Sequence, residues 1–84
     1  MTRDEIRRAV LACVAEVAPD ADLASLPPDA DMRRELDLDS MDLLNLVIAL
    51  HKATGVEIRE SEYRRAATLS GCIDLLAERL GSSA

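Results

Sequence analysis

Ser40 stands between two carboxylates, Asp39 and Asp42, in the run Asp37-Leu38-Asp39-Ser40-Met41-Asp42. Two catalytic chemistries and one metal site use groups of this kind. A serine nucleophile needs a base within hydrogen-bond reach, itself oriented by a third group. The sole histidine is His51. On a continuous helix it would lie about 16 Å along the axis from Ser40, at ~1.5 Å per residue, so it cannot act as that base. Asp39 and Asp42 could form an acid/base pair, but an exposed, loop-bordered position offers nothing to push their pKa values apart. A calcium loop beginning at Asp37 fails on its pattern. Met41 takes the third ligand position, Asp42 stands where a glycine is required, and Ile48 replaces the bidentate glutamate. What remains is a helix start. A short oxygen-bearing side chain, Ser40 or Asp39 just before it, can accept from the free amides of the first turn, and Asp42 suits the positive end of the helix dipole. If Ser40 is the cap, Ser40→Ala would cost about 1 kcal/mol.

The helix that follows is expected from Ser40 to about Ala53, with Gly55 as its left-handed stop. Leu43, Leu46, Val47 and Leu50 form its core stripe, while Met41, Leu44 and Ile48 lie on a different face. That second stripe has two readings: a central helix buried on two sides, or an exposed apolar ridge for partners. Upstream, Thr2-Arg3-Asp4-Glu5 has the form of a capping box. It opens a first helix whose stripe is Ile6, Val10, Cys13 and Val17, flanked by Ala9 and Val14 and closed by Pro19. Between the two helices lies a long connection, residues 19–39, with Leu23, Leu26, Met32, Leu36 and Leu38 spaced as anchors and Asp31 placed to cap a turn through Met32–Glu35. Order is expected there.

Val56-Glu57-Ile58 alternates like a strand but has nothing to pair with, so it reads as an extended connection. Residues 60–65 suggest a short third helix with Tyr63 turned partly inward. Thr68 caps a last helix with stripe Leu69, Ile73, Leu76 and Leu80, and Gly81 is its stop. Residues 81–84 read as a frayed tail. The expected fold is all-α: a small four-helix bundle of three main helices and one short one, with the long loop between the first and second. Residues 1–84 are expected to form a single domain.

Composition narrows the function. The net charge is −6, hydrophobic residues make up 49%, and there is one Tyr with no Phe or Trp. Residues 29–45 hold six acidic groups against Arg33 and Arg34, so the negative field centres on Ser40. Such a surface repels nucleic acid and anionic membranes and attracts basic protein patches. Cys13 and Cys72 fall on apolar helical positions without a CxxC or a nearby histidine, which argues against zinc and disulfides and for buried thiols in a reducing cytoplasm. No signal peptide and no apolar run approaching the ~20 residues of a membrane span is visible.

From about Leu36 to Leu80 the chain resembles the acyl carrier protein family. The likeness is carried by Asp39-Ser40-Met41, the Leu46–Leu50 run, Gly55-Val56-Glu57-Ile58, and Thr68-Leu69 opening the last helix. The resemblance implies that Ser40 carries a 4′-phosphopantetheine arm whose thiol holds acyl cargo as a thioester. The arm is installed from coenzyme A by a phosphopantetheinyl transferase. It implies a discrete, monomeric cytoplasmic carrier with no catalysis of its own, shuttling intermediates among acyl-loading and acyl-processing enzymes of fatty acid, polyketide or related specialised biosynthesis. The implied partner surface is Asp39, Met41, Asp42, Leu44, Asn45 and Ile48. A carrier of aminoacyl or peptidyl groups, or an unmodified helical interaction module, is the alternative. Two features depart from the family pattern. Asn45, His51 and Lys52 stand where acidic residues are common, which points to partners of different charge complementarity. Arg59 replaces a common proline.

Overall fold

The structure, a computed structural model, describes residues 1–81; the expected fraying of Ser82-Ser83-Ala84 lies outside the described residues. Three long helices dominate: α1 (Arg3–Val17), α3 (Ser40–Thr54) and α5 (Leu69–Leu80). Two short ones, α2 (Met32–Glu35) and α4 (Tyr63–Ala66), and two single 3-10 turns, Leu23–Ser25 and Glu60–Glu62, fill the connections. The described residues contain no strand, only an isolated bridge between Asp31 and Thr68. The chain is therefore all-α, with one short helix more than the sequence suggests.

The ends of the helices follow local chemistry. The Thr2 hydroxyl accepts from the Glu5 amide at 3.2 Å and the Glu5 carboxylate accepts from the Thr2 amide at 2.8 Å, which is the expected capping box. The bond from the Thr2 amide, with the nearby Thr2 hydroxyl, holds the Glu5 carboxyl below its ordinary pKa. Asp31 caps α2 through the Arg33 amide at 3.0 Å, and Thr68 caps α5 through the Gly71 amide at 3.0 Å. Gly55 (φ 77°) and Gly81 (φ 66°) are left-handed stops.

The core takes α1 on one side against α3 and α5. Ile6, Val10, Cys13 and Val14 of α1 meet Leu46, Val47 and Leu50 of α3 and Leu69, Cys72, Ile73, Leu75 and Leu76 of α5. Val14, expected on the flank, is fully buried, while Val17 is only half-buried where α1 runs out. Four of the five expected anchors pin the long connection: Leu26 and Met32 enter the core, and Leu23 and Leu36 pack against it, while Leu38 is half-buried at the surface instead. Two backbone bonds fasten it across the molecule, Met32 N–H to the Ala67 carbonyl (2.8 Å) and Ser70 N–H to the Pro28 carbonyl (2.9 Å). Val56 and Ile58 anchor the extended connection in the same core.

Cys13 and Cys72 are free and buried. Burial raises both thiols, Cys72 to about 12 from an ordinary 9.0. The thiolate is the reactive form, so native protein at pH 8 should resist alkylation by iodoacetamide at both sites, while denatured protein takes two adducts. Rapid modification of the native chain, read by intact mass, would contradict this packing. The sign for stability follows. The unfolded thiol ionises from about pH 9.0 and the folded one only near 12, so the stability that Cys72 contributes is complete below pH 9 and is lost as pH rises through that window.

The exit from α2 holds the one left-handed non-glycine residue among those described, Asp37 at φ 53°. The Leu38 amide returns to the Arg33 carbonyl at 2.8 Å, so Asp37 occupies the reversal position that usually takes glycine. A side chain there costs about 1–2 kcal/mol, and glycine gives back about 0.5–1 kcal/mol in chain entropy. Asp37→Gly is expected to raise stability by about 0.5–1 kcal/mol, measurable as a shift of the urea midpoint.

Candidate functional site

The turn at Asp37 delivers the chain to the start of α3. There Asp39, not Ser40, is the N-cap. Its carboxylate accepts from the Asp42 amide at 2.8 Å, and the Asp42 carboxylate accepts from the Asp39 amide at 3.2 Å. This reciprocal box settles the open choice of cap and corrects the expectation that Ser40→Ala weakens one. Ser40 is the first helical residue, exposed, with a hydroxyl that bonds no other described residue. The Ser40 and Met41 amides lie in the first turn, where no carbonyl of the same helix can reach them. They and the helix dipole favour an anion on or beside Ser40.

The second stripe of α3 is exposed, which excludes the helix buried on two sides. Met41 is 61%, Leu44 40% and Ile48 45% accessible, and Asn45 beside them is exposed. The ridge starts next to Ser40 and ends at His51 and Lys52, also exposed. Its opposite face, Leu43, Leu46, Val47 and Leu50, is buried as the spacing requires. His51 thus sits near the far end of the same 15-residue helix from Ser40, out of reach as a base.

An open groove of about 650 Å³ runs beside Ser40. Leu38, Asp39, Ser40 and Leu43 form one wall; Arg33 and Arg34 of α2, with Asp31, another; Glu60 and Tyr63 close it. Tyr63 also borders a smaller depression of about 380 Å³ along α3, lined by Val47, Ile48, His51, Lys52, Glu57 and Ile58. The segment that carries Tyr63 is held to α5 by ion pairs of Arg79 with Glu62 and Arg65 with Glu78. Leu38 borders a third, acidic depression with Asp20, Asp22, Glu35, Asp37 and Asp42. Among the described residues no three carboxylate, histidine or cysteine groups converge as a metal site.

Sequence spacing brought Asp39, Ser40, Met41, Asp42, Leu44, Asn45 and Ile48 to one helix and the structure places them there together. It did not find the groove. Arg33, Arg34, Glu60 and Tyr63 reach it from two separate segments; in the sequence the two arginines enter the charge balance around Ser40 and Glu60 and Tyr63 fall on a short helix, but nothing there brings the two segments together. The Asp39/Asp42 box was legible in principle, as an acidic residue three positions after an acidic cap.

The geometry fits a covalent phosphodiester on Ser40: an unengaged hydroxyl, uncommitted amides, room in the groove and arginines on its wall. The family described as the phosphopantetheine attachment site matches residues 8–76. Polyketide-8 synthase acyl carrier protein 2 of Streptomyces avermitilis is 37% identical over 70 residues, covering 83% of this chain and 79% of the relative. The acyl carrier protein of Rubrobacter xylanophilus is 31% identical over 75 residues (86% and 93%), and that of Petrotoga mobilis 32% over 81 residues (95% and 93%). No helix among the described residues is long and apolar enough to cross a membrane. The chain belongs to the acyl carrier protein family, whose members are carriers rather than enzymes and bear 4′-phosphopantetheine.

Proposed function

We infer that Ser40 is the attachment residue and that the chain carries acyl groups for polyketide-type or related specialised assembly. The observation that carries the first part is the exposed, unengaged Ser40 hydroxyl at the head of α3, bordered by Asp39 and Asp42. The arm's terminal thiol supplies the thioester chemistry. The protein's own residues present the attachment point, favour the phosphodiester charge through the α3 amides, and offer Met41, Leu44, Asn45 and Ile48 as the surface that docks partners.

Two observations favour specialised assembly over housekeeping fatty acid synthesis. The exposed face of α3 ends in His51 and Lys52 and carries Asn45 at its centre, so it lacks the negative stripe that a strongly basic docking patch would need. The relative from Streptomyces avermitilis is named as a polyketide synthase carrier. The reading includes a phosphopantetheinyl transferase and acyl-loading and acyl-processing enzymes as partners, with the carrier as a single-domain monomer in the cytoplasm. Its weak, fast encounters are steered by the acidic field around Ser40.

The test is intact mass before and after incubation with coenzyme A and a broad-specificity phosphopantetheinyl transferase. The expected result is a gain of one phosphopantetheine, mapped by peptide fragmentation to Ser40. Offered malonyl- and aminoacyl-loading enzymes in turn, the modified chain should take malonyl. No mass gain on a folded chain, or a gain elsewhere, would overturn the assignment; aminoacyl loading alone would move the chain to peptide assembly.

A further inference from the structure

We propose that Arg34 of α2 would pair with the phosphodiester of an arm carried on Ser40. The inference rests on the reading of Ser40 as the attachment residue and concerns what the rest of the groove does with the group placed there.

The two α2 arginines that line the groove are not equivalent. Arg33 is committed: its guanidinium pairs with Asp31 at 3.4 Å, and Asp31 also caps the Arg33 amide. That pairing pulls the Asp31 carboxyl below its ordinary pKa. Arg34 is exposed, borders the same groove as Ser40, and makes no ion pair among the described residues. The other carboxylates on the groove wall are Asp39 and Glu60. Asp39 spends an oxygen on the Asp42 amide. Glu60, the second oxygen of Asp39, and Asp31, whose carboxyl also feels the Arg34 charge, are the competitors for Arg34.

A guanidinium presents a planar fork that matches two oxygens of a phosphate, and charge-assisted bonds of that kind are the stronger class. A phosphodiester on Ser40 would otherwise sit in the most acidic stretch of the chain, with Asp37, Asp39 and Asp42 close in sequence. The α3 amides offset part of that repulsion and Arg34 offsets more, from the groove side. Met41, Leu44 and Ile48 do not line this groove, so a phosphate paired with Arg34 would leave that ridge free for partners.

The experiment uses wild type, Arg34→Gln, Arg34→Lys, Arg33→Gln and Glu60→Gln, each converted to the modified form. Mass reports attachment; NMR reports the arginine. On attachment in wild type, the Arg34 side-chain Nε–Hε resonance should move, and the ³¹P resonance should shift when Arg34 becomes Gln, shift less for Lys, and stay near wild type for Arg33→Gln. Added salt should diminish the effect. An Arg34 signal and ³¹P resonance unmoved in fully modified protein would overturn the role of Arg34 while leaving Ser40 as the attachment residue. An Arg34 signal that responds only to Glu60→Gln would assign it to Glu60 and overturn the proposal equally. Absence of any mass gain removes both readings together.

Discussion

Ser40→Ala is expected to abolish arm attachment completely while leaving the stability of the unmodified chain within about 0.5 kcal/mol of wild type. The reason lies in the division of labour at the head of α3. The Ser40 hydroxyl bonds no other described residue, whereas Asp39 and Asp42 exchange two hydrogen bonds that close the first turn. Alanine at the first helical position loses no cap and is itself a good helix former. Asp39→Ala should show the opposite profile. It removes the acceptor for the Asp42 amide and costs about 1 kcal/mol, up to ~2 if the turn frays. It leaves the Ser40 hydroxyl in place, so modification there should continue, at a lower rate. Urea denaturation and intact mass on the same two variants separate the outcomes. A large stability loss in Ser40→Ala would show that the hydroxyl is structurally engaged and would weaken its reading as a group kept free for modification.

The same division explains what could be read without coordinates. Several helix boundaries rest on contacts two to four residues apart, and these are written in sequence: Thr2 with Glu5, Asp31 with Arg33, Thr68 with Gly71, and the glycines at 55 and 81. Apolar spacing separated Leu46, Val47 and Leu50 from Met41, Leu44 and Ile48 correctly because a helix converts spacing directly into faces. It could not decide whether the second face was covered, since that depends on whether another element packs against it. The groove failed for the same reason at larger scale. Arg34 and Tyr63 lie 29 residues apart in sequence, and they share a wall because the long connection is tied to the α4–α5 junction through Met32–Ala67 and Pro28–Ser70. Asp37 hid differently. An aspartate in a loop looks ordinary, and only the backbone shows that it stands in a left-handed turn.

The family's usual acidic docking face is also a matter of position rather than total charge. The chain is acidic at −6, yet the exposed length of α3 beyond Asp42 carries only Lys52 and the titratable His51. The acidic charge is concentrated at the loop and helix start instead. A partner that reads both ends needs basic groups opposite Asp39 and Asp42, an apolar shelf for Leu44 and Ile48, and no dense positive patch near Lys52. On the proposed docking reading, partners built for a wholly acidic helix would be repelled at the Lys52 end as much as attracted at the other.

Gly71→Ala is expected to be the most damaging single methyl addition among the glycines. Gly55 and Gly81 sit at open helix ends where a methyl would meet nothing, although their left-handed backbones still favour glycine. Gly71 lies in the first turn of α5 against the end of α4. A Cβ there would overlap the Arg65 carbonyl oxygen outright, with the Arg65 carbonyl carbon at 3.2 Å and the Thr68 hydroxyl at 2.8 Å. The first obstacle is backbone and cannot rotate away, so α4 and α5 must separate. The Thr68 cap on the Gly71 amide is disturbed with it. Overpacking costs about 1–3 kcal/mol and a lost cap adds about 1 kcal/mol, which for a chain of this size is a large share of the total. We expect a loss of about 2–4 kcal/mol in urea denaturation. The functional signature should differ from that of Ser40→Ala. The head of α3 is capped by its own carboxylates, so the folded fraction at low temperature should still accept the arm. Tyr63, carried by α4, should move away from the groove, and its NMR signals should report the change. Stability within about 0.5 kcal/mol of wild type would mean that α4 and α5 do not approach as closely as Gly71 allows, and the groove wall at Tyr63 would have to be redrawn.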